Sequence, residues 1–323
     1  VYAGELVPDQ LQKLAALGLD HEDVATGKAE NGKVRVEAVI TDLQAEKLRS
    51  DGVELAVKKV KGNKASEEAA RIALAGNTVY RSYSEAGGIR DELIATARAN
   101  PGLTKLVSIG KSVNGQDILA LKVTKGARQL QDGKRPAVLY AGAQHAREWI
   151  TPEVVRRLMH YYLDGYGSNA ELTALVNTTE LWFLPVANPD GYDFTFTVDN
   201  RLWRKNLRDN NGDGAITGGD GVDPNRNFAV KWGYDNEGSS PDPSSETFRG
   251  TGPNSEPETK ALDSLLKRVR FKELINYHSA AELLLYGVGW QVSTPSPDDV
   301  IYEAMVGDDA HPAVPGYDPD ISA

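Results

Sequence analysis

The stretch Gln144-His145-Ala146-Arg147-Glu148-Trp149-Ile150 constrains this chain more than any other. It follows an apolar run, 137–141, that reads as a buried strand. It precedes Thr151-Pro152, which predicts a helix N-cap with proline at the first helical position. His145 and Glu148 therefore belong to a tight turn where a strand ends and a helix begins. In an open α/β sheet, ligands bind at the carboxyl ends of strands. A neutral imidazole and a carboxylate three residues apart on such a turn can grip one metal ion. Zinc accepts nitrogen and oxygen ligands, and a catalytic zinc needs a third protein ligand and an open position. An H-x-x-E pattern alone is weak evidence.

The third ligand has one good candidate. Residues 274–277 read as a strand, and His278 falls at its end. It comes roughly 130 residues after the first pair, as expected when the third ligand belongs to a separate element. On the residues alone, a histidine satisfied at a strand end is the favoured reading.

The rest of the chain divides in three. Residues 1–60 pattern as βαβαβ, a small α+β unit, with strands at 1–6, 33–40 and 53–60 and helices at 8–19 and 42–49. Nothing in this unit resembles a catalytic cluster, and His21 reads as solvated. Residues 61–76 are charged and alanine-rich, and read as a connecting helix or linker open to proteolysis. From 77 to 323, strands and helices alternate. The expected fold is α/β: a mixed, mostly parallel sheet with helices on both faces, incomplete at the C-terminus, behind a small α+β domain. Ser255-Glu256-Pro257-Glu258 predicts a capping box opening a helix.

Composition narrows the partners. The net charge is −10, and no basic block is present, so nucleic acid and anionic membranes are excluded. No apolar run is long enough to span a bilayer. There are no cysteines, which removes disulfides and thiolate metal sites and suits bacterial export without oxidative folding. A monomer is the default expectation.

One loop suggests a second metal. Asp209, Asn211 and Asp213, with Gly214 sixth, Ile216 eighth and Asp220 twelfth, follow the spacing of an EF-hand-type calcium loop. A polar Asn/Gly/Asp turn accounts for the same residues equally well.

Four motifs in order carry a resemblance. These are 144–150, 201–206 (RLWRKN), 221–227 (GVDPNRN) and 278–286 (HSAAELLLY). From about Tyr80 to Trp290 the chain resembles the zinc carboxypeptidase family, the carboxypeptidase A-like metallopeptidases. The resemblance implies that His145, Glu148 and His278 bind Zn²⁺. It implies that Arg204 polarises the scissile carbonyl and that Asn225 and Arg226 grip the substrate's free C-terminal carboxylate. Arg147 would make a secondary carboxylate or subsite contact, and Asp223 would orient the first zinc histidine. Residues 1–76 match the family's prosegment and cleavable connector in length and pattern.

One departure stands out. The family places a general-base glutamate beyond the second histidine. About 45 residues follow His278, and Glu303 reads as a solvated helix residue rather than a counterpart. The expectation is a fragment or truncated product, with the base and the specificity pocket beyond Ala323. The leading expectation is thus a secreted metallocarboxypeptidase precursor, activated by a protease and acting on peptides with a free C-terminal carboxylate. A related zinc amidohydrolase or deacylase, and a non-catalytic zinc- and peptide-binding fold, are the alternatives.

Overall fold

The computed structural model describes residues 1–17, 19, 23–60, 63–64, 79–279, 283–290, 296–308 and 310–321. Most of the expected connector, together with His21 and Glu282, lies outside the described residues.

The N-terminal unit contains β1 (Tyr2–Leu6), α1 (Pro8–Ala15), β2 (Val24–Glu30), β3 (Lys33–Ala38), α2 (Asp42–Ser50) and β4 (Ala56–Val57). Its strands form one antiparallel sheet in the order β2-β3-β1-β4. The βαβαβ expectation lacked β2. The missed signal is Asn31-Gly32, both left-handed (φ 51° and 75°), which closes the β2–β3 hairpin. Leu14, Ala45 and Leu48 of the two helices pack on Tyr2, Leu6, Val36 and Ala38 of the sheet. A short hairpin of β5 (Lys59–Val60) and β6 (Asn63–Lys64) follows.

The larger unit is built on α3 (Ile89–Ala99), β7 (Thr104–Lys111), β8 (Asp117–Val123), β9 (Ala137–Ala141), α4 (Ile150–Gly165), α5 (Ala170–Thr178), β10 (Glu180–Leu184), α6 (Pro189–Phe194), α7 (Pro257–Val269) and β11 (Glu273–Asn276). Its sheet runs β11-β9-β10-β8-β7. The β11–β9 and β9–β10 pairings are parallel, and the β10–β8 and β8–β7 pairings are antiparallel. The sheet is therefore evenly mixed, where the sequence suggested mostly parallel. The reason is local. Gly115 (φ 82°) closes a hairpin between β7 and β8, whereas the parallel β9 and β10 are joined through helices α4 and α5. Beyond β11, β12 (Leu283–Tyr286) pairs in parallel with β15 (Asp318–Ile321). Between them lie α8 (Asp299–Val306), which carries an exposed Glu303, and the short pair β13 (Gly307–Asp308) and β14 (His311–Pro312).

Helices cover both faces of the five-stranded sheet. Side chains alternate along each strand, so β10 sends Leu181 and Phe183 to one face and Trp182 and Leu184 to the other. On the first face Leu119, Leu121, Tyr140, Leu181 and Phe183 meet Leu93 and Ala97 of α3, Val155 and Met159 of α4 and Val176 of α5. On the second, Leu139, Trp182 and Leu184 meet Ala261, Leu262, Leu265 and Val269 of α7.

Two cap predictions are corrected. Trp149 is the cap of α4, and Thr151 lies inside its first turn. The Thr151 hydroxyl is engaged elsewhere, accepting from Ala143 N–H (2.8 Å) and donating to Glu148 C=O (3.0 Å). At α7 the cap is Glu256, without a side-chain cap bond, because the Ser255 hydroxyl donates to Glu256 Oε1 (2.8 Å).

Burial of Phe183, stacked on Tyr140 at 5.3 Å, generates a stability prediction. Phe183→Ala is expected to destabilise the chain by about 3–5 kcal/mol through lost transfer energy and a residual cavity. Denaturant unfolding checks it.

Candidate metal centre

His145 and His278 meet because β9 and β11 are parallel neighbours in a register that sets Asn276 opposite Ala141. Both strands stop at the same level, and each runs on into a ligand-bearing turn. The β9 turn is tight. Ala143 adopts a left-handed backbone (φ 44°), held by the Thr151 hydroxyl on its N–H and by Asn188 N–H on its carbonyl (3.1 Å). A Cβ at Gly142 would meet Pro185 O and the Thr151 backbone at 3.0–3.1 Å, so glycine lets the strand ends close together without displacing these neighbours.

His145 and Glu148 are buried and His278 is half-buried. His145 Nδ1 lies 2.8 Å from Glu148 Oε1 and 3.1 Å from His278 Nδ1. His278 Nδ1 lies 3.2 Å from Glu148 Oε2. That oxygen is buried without a hydrogen-bond partner. The ligand atoms of the three side chains all fall within 4.8 Å of one another, in the only such group among the described residues. Two imidazole nitrogens and a carboxylate turned on one point, with an orphaned oxygen, fit a shared zinc ion.

Asp223 fixes the first imidazole. Its Oδ1 lies 3.2 Å from His145 Nε2, so the ring donates there and turns its Nδ1 lone pair inward. Oδ1 also accepts from Asn225 N–H (2.8 Å) at the start of a 3₁₀ turn, Pro224–Arg226. Oδ2 accepts from Arg204 Nε (3.1 Å) and Nη2 (2.9 Å). Burial alone would raise the Asp223 carboxyl, but the Arg204 guanidinium and His145 hold it well below the usual carboxylate range.

The arginines expected at the site gather round an unexpected partner. Asp23, from the N-terminal unit, is buried between them. Its Oδ1 accepts from Arg147 Nη2, and its Oδ2 lies 3.4 Å from Arg204 Nη1. Arg147 also donates to Glu246 Oε2 (2.8 Å) and Leu202 C=O (3.1 Å). Burial opposes the charge on Arg147, yet the Asp23 and Glu246 carboxylates raise its pKa above the ordinary value. Residues 1–60, which hold no catalytic cluster of their own, thus reach the site through this one carboxylate. No local pattern around Asp23 signals it, because the contact spans 124 positions. Arg201, stacked 3.7 Å over Trp149, donates to the Arg147 carbonyl (2.8 Å). Burial, and then Arg147, push its pKa down to about 10.

Asn225 and Arg226 are half-buried on the same turn as Asp223, and Arg226 Nε donates to Gly238 C=O (2.6 Å). The expected calcium ligands do not gather. Asp209 accepts from Gly212 and Gly214 N–H (2.7 and 2.9 Å), Asn211 and Asp213 pair with each other, and the buried Asp220 accepts from Asn210 N–H and from Thr217. The loop's own N–H groups engage these carboxylates, and the three aspartates form no metal-holding group by themselves among the described residues.

A family model described as zinc carboxypeptidase, peptidase M14, matches residues 89–314. The chain belongs to the zinc carboxypeptidase family. Among its relatives, carboxypeptidase A2 of Rattus norvegicus is 34% identical over 221 residues, covering 68% of this chain and 50% of its own. A metallocarboxypeptidase A-like protein of Trichophyton verrucosum is 36% identical over 219 residues, covering 66% and 49%. The chain thus spans about half the length of the curated relatives it matches. These mammalian and fungal relatives lend the bacterial expectation no support. In fold, the chain resembles the carboxypeptidase A of Helicoverpa armigera (TM-score 0.71, 23% identity, 99% of this chain and 81% of that one). It also resembles thrombin activatable fibrinolysis inhibitor (TM-score 0.71, 22% identity, 100% and 84%). Both likenesses take in the N-terminal unit as well as the zinc carboxypeptidase unit.

The geometry makes the ligands unequal to their supports. His278→Ala is expected to abolish stoichiometric zinc, and Asp223→Ala to weaken zinc by about 10–100-fold. Metal analysis after equilibrium dialysis checks both. Undiminished zinc in His278→Ala would remove the site.

Proposed function

We propose that this chain is the precursor form of a zinc metallocarboxypeptidase that removes C-terminal residues from peptides. The observation that carries the reading is the pair of buried guanidinium groups, Arg147 and Arg204, beside the His145/Glu148/His278 group and already engaged by a carboxylate. A guanidinium fork matches a carboxylate in shape and charge. Bound zinc supplies a Lewis acid that polarises a substrate carbonyl.

The roles divide by charge. Arg226 and Asn225 hold the substrate's free α-carboxylate, and Arg147 makes a secondary contact. Arg204 meets charge that develops on the scissile carbonyl oxygen. Asp223 keeps both Arg204 and His145 in place. Residues 1–60 act as a prosegment, with the Asp23 carboxylate occupying the arginines that substrate would use, and proteolysis within 61–76 separates the two units. Secretion belongs to this reading. Among the described residues no further carboxylate joins the metal group.

The test compares one peptide as free acid and as C-terminal amide, on the wild type and on Asp23→Ala. The acid is expected to bind more tightly by ~2–5 kcal/mol, roughly 30-fold to several-thousand-fold, the cost of breaking a desolvated charge pair. Asp23→Ala should raise affinity for the acid, with little change for the amide. Equal handling of acid and amide would sink the carboxypeptidase reading in favour of a deacylase. Carboxylate-selective binding without turnover would mark a binding protein.

A further inference from the structure

The two histidines of the metal group are supported in opposite ways. His145 Nε2 faces Asp223, a carboxylate that can only accept. His278 Nε2 instead faces an amide, lying 2.8 Å from Nδ2 of Asn276, the last residue of β11. The same Nδ2 donates to Oε1 of the buried Gln144 (2.6 Å), the residue before His145. Asn276 Oδ1 is buried with no hydrogen-bond partner among the described residues.

This polarity conflicts with a metal at His278 Nδ1. A neutral imidazole carries one N–H and one lone pair. If Nε2 accepts from Asn276, the proton sits on Nδ1, the atom facing His145 Nδ1 and Glu148 Oε2 at 3.1 and 3.2 Å. With the Nδ1 lone pair given to zinc, Nε2 must donate, and it would then meet the Asn276 NH₂ donor to donor. A half-turn of the Asn276 amide removes the clash by bringing Oδ1 to His278 Nε2. It also brings Oδ1 to Gln144, whose amide must turn as well so that its NH₂ donates. Amide orientation follows its hydrogen-bond network. Here one network change forces the other: Oδ1 gains both of its donors, and Nδ2 moves to the buried position that Oδ1 leaves.

We propose that Asn276 and Gln144 are a coupled amide pair that positions His278, reversing together when zinc binds so that Asn276 Oδ1 accepts from His278 Nε2–H and from Gln144 Nε2. The two residues tie the ends of β9 and β11 to the protonation pattern of the metal group. This rests on the zinc assignment above.

Substitutions that can only accept separate this role from a passive one. Zinc affinity of the full chain is measured by chelator competition for the wild type, Asn276→Asp, Asn276→Leu and Gln144→Glu. Melting of the metal-free proteins serves as the fold control. Asn276→Asp is expected to bind zinc at least as tightly as the wild type, because its carboxylate accepts from His278. Asn276→Leu should bind about 10–100-fold more weakly. Gln144→Glu adds negative charge near the metal, yet should weaken zinc by roughly tenfold, because it sets acceptor against acceptor. Nitrogen NMR of zinc-loaded wild type should find the His278 proton on Nε2. If Asn276→Asp proves the weakest binder, Asn276 acts as a donor and the proposal falls. If Gln144→Glu tightens zinc, charge alone explains the series and the proposal also falls. Failure of the wild type to take up zinc would overturn the site itself along with this proposal, whereas normal uptake with either reversed order overturns this proposal alone.

Discussion

The register between β9 and β11 is the constraint on which the site depends. With Asn276 level with Ala141, the next residues of both strands leave the sheet side by side. Two histidines far apart in sequence then reach one point. A slip of one residue would turn every β11 side chain to the opposite face and carry His278 away from Glu148. Backbone bonds at the two ends of the pairing hold that register, Lys272 N–H to Ala137 C=O (2.8 Å) and Tyr277 N–H to Ala141 C=O (2.9 Å), and β9 is itself fixed by the cores on the two faces of the sheet. Trp182 and Leu184 from β10 pack with Leu139 and Ala141 of β9 under helix α7, while Phe183 and Tyr140 stack on the other face.

Around this point the chain arranges buried charges in alternation. Glu246, Arg147, Asp23, Arg204, Asp223 and His145 follow one another, each in contact with the next. Removing these groups from water is expensive, and each is tolerable because its neighbours on either side carry the opposite sign or share a proton. The line crosses from the metal group to the N-terminal unit, so the electrostatic state of the site includes a residue of the other unit. That is why Arg147 gains proton affinity despite its burial.

The sequence was legible where structure is local. The strand–turn–helix carrying His145 and Glu148, and the apolar run ending at His278, follow from periodicity and turn chemistry. Two local signals were present but unread. Asn31-Gly32 marks the β2–β3 hairpin, and Asn169, whose side chain accepts from Glu171 and Leu172 N–H, opens the unforeseen helix α5. Cap assignments failed where a hydroxyl found a better partner in three dimensions, as Thr151 and Ser255 did. Asp23, Glu246 and Asn276 were out of reach for a different reason. Their significance lies in what faces them across the fold, and no spacing rule connects Asp23 to Arg147 or Gln144 to Asn276. The loop at 209–220 shows the converse: its spacing suited a metal, yet its carboxylates turn to the loop's own N–H groups.

The Asp23 contact has a thermodynamic consequence on the proposed reading. While both units share one chain, the carboxylate is presented to the two arginines at an effective concentration set by that covalent link. A peptide in solution must exceed that figure, weighted by relative affinity, before it displaces Asp23. Cutting the connector leaves every contact distance as it was and alters only this concentration term. The N-terminal unit then becomes an ordinary soluble ligand, and its hold fades with dilution. Release of the site would thus be governed as much by the volume into which the cut protein disperses as by the cut itself.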